Sequence, residues 1–210
     1  MVDCSICRGP CHEIGDKKSR IYHVCRDCGF TFLDPSSRLR EDEEKKRYDQ
    51  HNNTPGARGY IQWLTAFLEE AVLPFADEGC AVLDFGSGPV PVLARLMEER
   101  GYKVSIHDKY FAPHMPQGPF DLITSTEVFE HLADPLGTLK YLKEILTPGG
   151  RLSIKTSLRP LSDEEFLSWW YREDSTHISF FSAHSLNALA SKSGVTLEFC
   201  DSRSVAIFRN

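Results

Sequence analysis

The chain has 210 residues, 41% of them hydrophobic, and a formal net charge of -6. This length suits one domain with a small appendage, and the acidic balance argues against broad nucleic-acid binding, which needs a basic face. No apolar run approaches the roughly 18 residues of a membrane span, and the N-terminus lacks the basic and apolar segments of a signal peptide. We therefore expect a cytoplasmic protein.

Four cysteines near the N-terminus form two pairs with two residues inside each pair: Cys4, Cys7, Cys25 and Cys28. The spacing C-x2-C-x17-C-x2-C is typical of structural zinc sites. Two such pairs complete a closed tetrahedral shell, and a segment of about 30 residues cannot bury enough apolar surface to fold unaided. We predict a structural Zn²⁺ in a ribbon over residues 1–36. Cys11 or His12 is an alternative ligand, and disulfide bonds are the other interpretation, which a cytosolic location disfavours.

Residues 37–59 are predicted to form a linker. The charged run from Arg38 to Tyr48 predicts a solvated helix, and the polar run from Gln50 to Gly59 predicts a loop. From Tyr60 onward apolar residues recur at helical spacing until Pro74 ends the pattern. We assign residues 60–210 to a second domain.

An apolar strand followed by two glycines is the most informative motif in the chain. Val82-Leu83-Asp84-Phe85-Gly86-Ser87-Gly88, followed by an apolar-periodic segment, predicts a strand, a tight turn and a helix. Glycines let the backbone turn sharply and approach a ligand closely. Such units hold nucleotide-like cofactors at the carboxyl ends of parallel strands. A second predicted strand ends about twenty residues later at Asp108, whose carboxylate is suited to ribose hydroxyls.

Two features around this motif restrict the interpretation. Dinucleotide-binding dehydrogenases usually show G-x-G-x-x-G, whereas here Pro91 stands three residues after Gly88. The distance from Asp108 to Phe120 is also short, because a strand-helix-strand crossover needs a dozen or more residues. We therefore expect the third strand of the sheet and the helix before it to be reduced or absent.

Two later segments carry the candidate chemistry. A strand from Phe120 runs into Thr126 and then Glu127-Val-Phe-Glu130-His131, where two carboxylates and an imidazole have the spacing to share one helical face. After a further strand comes the run W-W-Y-R-E-D-S-T-H, which ends at His177. Its aromatic residues suit a substrate wall, and His177 suits a general base. Asp174 is placed to orient His177 or to cap a turn.

Taken in this order, these segments resemble the class I S-adenosylmethionine (SAM) methyltransferases, over roughly Tyr60 to Asn210. The resemblance implies an α/β, Rossmann-like sheet with an antiparallel C-terminal edge, preceded here by the four-cysteine ribbon. It departs at Val90, where the family often has a third glycine. The cofactor contacts that it implies are Asp84, Gly86, Ser87, Gly88, Asp108, Thr126 and Glu127.

Two narrower resemblances concern the carboxylate of SAM and a second metal. Arg58-Gly-Tyr-Ile is similar to a segment of the ubiquinone-biosynthesis O-methyltransferases whose arginine pairs with the SAM carboxylate, a role that Arg58 would share. E-x-x-E-H with a later histidine resembles the metal sites of those enzymes and of small-RNA 2′-O-methyltransferases. That resemblance implies a divalent ion that acidifies a substrate hydroxyl, held by Glu127, Glu130, His131 and His177. The alternatives are His177 as a metal-free base and a structural role for these residues.

The sequence therefore predicts a SAM-dependent methyltransferase that acts on a small molecule. The expected acceptor atom is a hydroxyl oxygen. The predicted catalytic residues are His177, Asp174, Glu130 and His131. One alternative is a nucleic-acid methyltransferase whose ribbon docks RNA, against which the acidic charge counts. Another is a non-catalytic SAM-binding adaptor, against which the intact Asp84, Asp108 and His177 count. The sequence carries no signal for an oligomeric state.

Overall fold

The computed structural model describes residues 2–48 and 58–210. Most of the loop predicted for Gln50 to Gly59 lies outside the described residues. The described strands are β1 (Cys11–Gly15), β2 (Ile21–Cys25), β3 (Thr31–Leu33), β4 (Ala81–Phe85), β5 (Lys103–His107), β6 (Phe120–Thr126), β7 (Leu146–Lys155), β8 (Ser179–Phe180), β9 (Thr196–Cys200) and β10 (Val205–Arg209). The described α-helices are α1 (Glu41–Tyr48), α2 (Arg58–Ala71), α3 (Val92–Glu98), α4 (Pro135–Glu144), α5 (Asp163–Ser168) and α6 (Ala183–Ser193).

The larger sheet has six strands in the order β5-β4-β6-β7-β10-β9. Its first four strands are parallel, whereas β10 runs antiparallel to both β7 and β9. Val82 and Leu83 of the central strand β4 are fully buried, as a strand with helices on both faces requires. The predicted Rossmann-like sheet with an antiparallel C-terminal edge is confirmed.

The third strand that this architecture commonly contains is absent from the fully described segment between β5 and β6. Asp108 pairs with Ala112 through an isolated bridge, and no helix or longer strand forms before Phe120. A short irregular loop therefore joins β5 to β6. This confirms the expectation drawn from the short Asp108-to-Phe120 spacing.

The smaller sheet joins the N-terminal segment to the C-terminal half of the chain. Its order is β1-β2-β3-β8, and β8 follows His177 almost directly. The rings of Phe30 and Phe181 are buried and pack against each other, with centroids 5.3 Å apart. The N-terminal segment thus shares its core with the rest of the protein, and the domain boundaries at residues 36 and 59 stay a prediction.

Helix boundaries follow the expected local chemistry. The buried residues of α2 lie at helical spacing, and the helix ends before Pro74. Ser182 caps α6 through its side chain, and Gly194 ends it in the left-handed conformation with φ at 74°. Within residues 2–48 and 58–210, no helix has both the length and the apolar character to cross a membrane.

Candidate active site and zinc cluster

The four N-terminal cysteines lie together, as their spacing predicts. The sulfur atoms of Cys4 and Cys28 are 3.7 Å apart, those of Cys7 and Cys25 are 3.4 Å apart, and all four lie within 4.8 Å of one another. Four thiolates around one tetrahedral ion with metal–sulfur bonds of about 2.3 Å have similar separations. A disulfide bond would need about 2.05 Å. The donor set and its spacing therefore fit zinc.

Among the described residues, the two alternative ligands, Cys11 and His12, are not part of the four-sulfur group. Cys11 Sγ lies 4.0 Å from the carbonyl oxygen of Gly9, and the ring of His12 contacts Asp163 at 2.8 Å. Cys4, Cys25 and Cys28 are at most 2% exposed, and Cys7 is half-buried, so three of the four sulfur positions are shielded from solvent.

The two glycines after β4 adopt backbone conformations that other residues rarely adopt. The φ angle is 86° at Gly86 and 67° at Gly88. A Cβ atom on Gly86 would lie 2.2 Å from Cγ2 of Val128. The N–H groups of Gly86 and Ser87 donate to the carbonyl oxygen of His107, at 2.7 and 3.1 Å. These contacts hold the glycine turn against the end of β5, where ligands bind in sheets of this kind.

Asp108 connects the glycine turn to the loop that replaces the third strand. Its Oδ2 accepts a hydrogen bond from the N–H of Gly88 at 2.9 Å. Its Oδ1 accepts from the N–H groups of Tyr110 and Phe111, at 2.9 and 3.0 Å. The carboxylate therefore joins the glycine turn to the loop after β5, and its predicted contact with a ribose stays a prediction.

Two buried polar groups beside this turn indicate a polar ligand. Asp84 is 2% exposed, and burial raises its pKa to about 7 although Thr124 Oγ1 lies 3.2 Å from its Oδ1. The hydroxyl of Ser87 is buried and has no hydrogen-bond partner in the described part of the chain. Buried polar groups normally have partners, so the Ser87 hydroxyl fits a site that a bound molecule completes, and Asp84, which is paired with Thr124, lies beside it.

A cavity of about 1170 Å³ opens at the carboxyl edge of the large sheet. This exceeds the usual volume of a pocket for one small molecule, about 300–1,000 Å³. Arg58, at the start of α2, is exposed and is not part of the described cavity wall. Glu130 is fully buried behind the wall. The predicted residues that line the cavity are Asp84, Gly86, Ser87, Gly88, Asp108, Thr126, Glu127, His131, Asp174 and His177.

Helix α1 forms part of this wall, although its charged sequence predicts a solvated helix. Glu44 Oε2 accepts hydrogen bonds from Lys109 Nζ at 3.1 Å and from the Tyr110 hydroxyl at 2.9 Å. Arg47 forms an ion pair with Asp174 at 3.6 Å. Since α1 has no apolar stripe, its position over the cavity leaves no hydrophobic signal in the sequence.

Glu127 and Glu130 share a buried hydrogen-bond partner. Tyr171 Oη lies 3.0 Å from Glu127 Oε2 and 2.6 Å from Glu130 Oε1. Burial, together with the neighbouring Glu130, raises the pKa of Glu127 to about 8, and burial raises the pKa of Glu130. The segment is not the expected α-helix, because Glu127 has a φ of 53° and Phe129–His131 forms a 3₁₀ turn. The two carboxylates are therefore brought together by Tyr171 rather than by a helical face.

The two histidines are held in the same tautomer by backbone carbonyl groups. His131 Nδ1 lies 2.9 Å from the carbonyl oxygen of Thr176, and His177 Nδ1 lies 2.7 Å from that of Tyr171. Because a carbonyl oxygen only accepts, each Nδ1 carries a proton, and in the neutral imidazole the lone pair is then on Nε2. The ring centroids are 4.8 Å apart. Metal-binding histidines are commonly oriented in this way.

Glu130, His131 and His177 form the second cluster of metal-binding side chains, with candidate ligand atoms within 4.8 Å of one another. Oε2 of Glu130 is buried and has no hydrogen-bond partner among the described residues. A set of two imidazoles and one carboxylate fits a divalent transition ion and leaves coordination positions for other ligands. Glu127 lies outside this three-residue cluster, so the predicted four-residue set is only partly assembled.

Asp174 caps a turn beside His177. Its Oδ1 accepts hydrogen bonds from the N–H and the hydroxyl of Thr176, at 3.0 and 2.7 Å. Burial alone would raise the pKa of Asp174, but these hydrogen bonds lower it to about 2, and the carboxylate is therefore ionised. His177 Nδ1 is oriented by the carbonyl group of Tyr171. A backbone carbonyl leaves no sequence signal, and for this reason the sequence does not reveal the orienting role of Tyr171.

The sheet order, the glycine turn, the acid at the end of the next strand and the adjoining cavity define a class I SAM-dependent methyltransferase. The chain belongs to a family of methyltransferase domains, whose sequence profile matches residues 50–198. This match includes the glycine turn, both acids and the Glu130–His131–His177 cluster.

Curated relatives match a shorter part of the chain. The ubiquinone biosynthesis O-methyltransferase of Vibrio parahaemolyticus is 30% identical over 95 residues, which are 43% of this chain and 40% of the relative. The enzyme of the same name from Pseudomonas paraeruginosa is 32% identical over 94 residues, which are 42% and 39% of the two chains. The chain thus spans about two fifths of the length of these relatives.

A solved structure covers almost the whole fold. The 1,6-didemethyltoxoflavin-N1-methyltransferase of Burkholderia thailandensis superposes with a TM-score of 0.59 at 14% identity, over 96% of this chain and 99% of that one. That structure contains 1,6-didemethyltoxoflavin and S-adenosylhomocysteine. The similarity shows the shared fold, including the part of the sheet that lies beyond the sequence matches.

Proposed function

We propose that this protein transfers a methyl group from SAM to a hydroxyl oxygen of a small molecule, beside a divalent ion held by Glu130, His131 and His177. The observation that carries the proposal is the geometry of these residues. Both imidazoles donate their Nδ1 protons to carbonyl groups, and the buried Glu130 Oε2 has no partner among the described residues. An ion at this cluster would neutralise a carboxylate that burial otherwise penalises.

The chain supplies a built site for SAM on the same cavity wall. Asp108, Asp84 and the glycine turn from Gly86 to Gly88 would hold the cofactor, with Thr126 and Glu127 next to them. When bound, SAM supplies an electrophilic methyl group. The residues of the chain then have to exclude water, place the acceptor oxygen in line with that methyl group and help to remove its proton.

The acceptor would lie between the cofactor side of the cavity and the aromatic segment before His177. Trp170 and Tyr171 line the cavity there, and the Trp170 ring is 72% exposed, so it is available to a ligand. A divalent ion at the cluster supplies positive charge, which favours loss of a proton from an acceptor hydroxyl. The O-methyltransferase activity named for the curated relatives supports an oxygen acceptor.

A second candidate mechanism uses His177 as a general base without an ion. The hydrogen bond from Nδ1 to the Tyr171 carbonyl leaves the lone pair on Nε2, which is the state a base requires. Asp174 is ionised nearby and would stabilise the imidazolium that forms. The two mechanisms share the same residues and differ in whether a metal ion is present.

The four-cysteine cluster is proposed to hold a structural zinc ion. The cluster is closed and has no open coordination position, so a catalytic role for that zinc is unfavourable. On this proposal the protein carries two metal sites with different roles, and a total of about two metal ions per chain is expected when both are filled.

Calorimetric titration of SAM into purified wild-type protein and Asp108→Ala, after metal analysis of the same samples, tests the proposal. We expect micromolar binding that weakens in the variant, with about one tightly held zinc per chain. If wild-type protein holds a second equivalent of metal and His177→Ala does not, the result supports the ion mechanism. If wild-type protein supplied with Mg²⁺, Mn²⁺ or Zn²⁺ holds no second equivalent, the result favours the base mechanism. A folded, zinc-loaded wild-type protein that does not bind SAM would contradict both.

A further inference from the structure

The β1–β2 hairpin spans from the four-cysteine cluster to the segment that carries His177. Cys11 pairs with Cys25 at one end of the hairpin, and Gly15 pairs with Ile21 at the other end. The turn beyond Gly15 is closed by two hydrogen bonds: the Asp16 N–H donates to the Arg20 carbonyl oxygen, and the Arg20 N–H donates to Oδ1 of Asp16. The hairpin therefore has a metal-binding end and a tip, and the tip reaches the Trp170–Glu173 turn.

Asp16 is the centre of the contact at the tip. Its Oδ2 lies 2.7 Å from Arg20 Nε and 2.7 Å from Arg172 Nη1, and its side chain is 3% exposed. Its Oδ1 accepts hydrogen bonds from the backbone N–H groups of Lys18 and Arg20, at 2.8 and 2.9 Å. Burial alone would raise the pKa of Asp16, but these hydrogen bonds hold it well below its ordinary value. A carboxylate this enclosed is unavailable to a docking partner.

Arg172 is held on several sides. Besides Asp16, its guanidinium group contacts the Tyr22 hydroxyl at 3.4 Å and donates from Nε to the carbonyl oxygen of Leu167 at 2.9 Å. Its own carbonyl oxygen accepts a hydrogen bond from Arg20 Nη1 at 3.0 Å. The hairpin tip thus fixes both the side chain and the backbone of Arg172.

Tyr171, directly before Arg172, makes the contacts that order the Glu130–His131–His177 cluster. Its carbonyl oxygen accepts the Nδ1 proton of His177, and its hydroxyl lies within hydrogen-bond distance of Glu127 and Glu130. A shift of the peptide between Tyr171 and Arg172 would therefore change the tautomer and direction of His177.

We propose that Asp16 is a positioning residue that sets the orientation and tautomer of His177 through Arg172 and Tyr171. The ribbon is then a scaffold for the active site, anchored by zinc at one end and bound to the His177 segment at the other. The kinetic part of this inference rests on the proposed function, whereas the structural part does not.

The test variant is Asp16→Asn, and the matched control variant is His12→Gln. Asn keeps the shape of Asp16 and removes its charge, while His12 joins the same hairpin to Asp163 on α5 without touching the His177 segment. Asp16→Glu tests rescue by a carboxylate. Arg172→Lys is the second variant, which decides the question if Asp16→Asn does not fold.

The primary measurement is the histidine-ring ¹⁵N–¹H NMR spectrum of the zinc-loaded protein, with His177 signals assigned by their loss in His177→Ala. We expect Asp16→Asn, or Arg172→Lys, to move the His177 signals away from the pure Nδ1–H tautomer while zinc content stays at wild-type level. Asp16→Glu should partly restore them, and His12→Gln should leave them unchanged. With an active acceptor, kcat should fall about 10- to 100-fold in Asp16→Asn, with SAM affinity within about twofold of wild type.

Unchanged His177 signals in a folded, zinc-loaded Asp16→Asn or Arg172→Lys would overturn the proposal. An equal change in His12→Gln would also overturn it, because the effect would then be general loosening of the ribbon. A different result would contradict the proposed function: a wild-type protein with an ordered His177 that neither binds SAM nor methylates any acceptor.

Discussion

The four-cysteine cluster and the Glu130–His131–His177 cluster are both sets of metal-binding side chains, but their surroundings differ. The sulfur cluster offers four ligand atoms, as many as a tetrahedral ion needs, and three of its cysteines are buried in the hydrophobic core. The second cluster supplies three ligands, two of them on the wall of a cavity of about 1170 Å³. A closed shell is suited to holding a fold, whereas an incomplete shell beside a cavity is suited to binding a reactant.

The clusters also differ in how the chain assembles them. The cysteines belong to two short knuckles within 25 residues, so their sequence spacing nearly defines the site. His177 lies beside Glu130 and His131 because the N–H of Ile178 donates to the Glu130 carbonyl oxygen at 2.8 Å. The carbonyl groups of Tyr171 and Thr176 then orient the two imidazoles. Local spacing is thus enough to bring the four cysteines together, whereas the candidate catalytic site depends on the completed fold.

Loss of one sulfur ligand should have the largest effect. In Cys25→Ser the zinc shell is broken, and because metal binding contributes folding energy, we expect the thermal midpoint to fall by roughly 10 °C or more. Metal analysis and thermal unfolding measure this. The control is Cys11→Ser, which is outside the sulfur cluster and should keep its zinc. A Cys25→Ser protein with wild-type zinc content and midpoint would refute the closed structural site.

Substitution in the second cluster should remove activity and leave the fold intact. We expect His177→Ala to reduce methyl transfer about 10²- to 10⁴-fold, since the group that deprotonates or orients the acceptor is lost. The initial rate of S-adenosylhomocysteine formation with a small-molecule hydroxyl acceptor measures it. His184→Ala is the control, because the exposed His184 ring contacts the Asp27 carbonyl oxygen and does not line the cavity. Equal rates in the two variants would remove His177 from the mechanism.

Mild chelation should separate the two clusters directly. Dialysis against EDTA should remove an ion from the open Glu130–His131–His177 cluster and lower activity by about tenfold or more, while the buried zinc remains. Readdition of Mg²⁺, Mn²⁺ or Zn²⁺ should restore the rate. Metal content is measured in parallel. Full activity after complete removal of the weaker ion would support His177 acting as a base alone.

A change of pH from 6 to 8 should alter SAM binding in the cavity and leave the zinc content of the ribbon unchanged. Burial raises the pKa of Asp84 to about 7, so this carboxyl is mainly neutral below pH 7 and ionised above it. SAM is cationic and should favour ionised Asp84, and its Kd should therefore fall by about fivefold as the pH rises across this range. Calorimetry at three pH values, with zinc content checked, measures the effect. In Asp84→Asn the dependence should shrink, and an undiminished dependence would assign it to another group.

Particular residues show how far sequence reasoning reaches. The glycine turn, Asp108 and the four cysteines are recognisable because each depends on neighbours close in the chain, and the structure places them as expected. The loss of the third strand follows from one short spacing. By contrast, α1 is expected to be a solvated helix, yet Glu44 and Arg47 line the cavity. Charged residues carry no hydrophobic pattern from which such packing could be predicted.

Glu127 illustrates the same limit within the candidate site. Its spacing from Glu130 and His131 suggests one helical face, but its φ of 53° and the following 3₁₀ turn place it outside the three-residue metal-binding cluster. Arg58 likewise matches a family segment and is exposed at the start of α2. Local spacing assumes a regular backbone, and the backbone here departs from regular geometry at the site itself.

The sequence by itself determined the Rossmann-like sheet, the glycine turn with its acids and the four-cysteine spacing, because hydrophobic periodicity, glycine conformations and short ligand spacings act locally. The tertiary structure alone decided that the ribbon and the sheet share one core, that Tyr171 links the two glutamates and orients His177, and that Asp16 reaches this segment. These features depend on contacts between residues far apart in the chain, which form only in the folded protein.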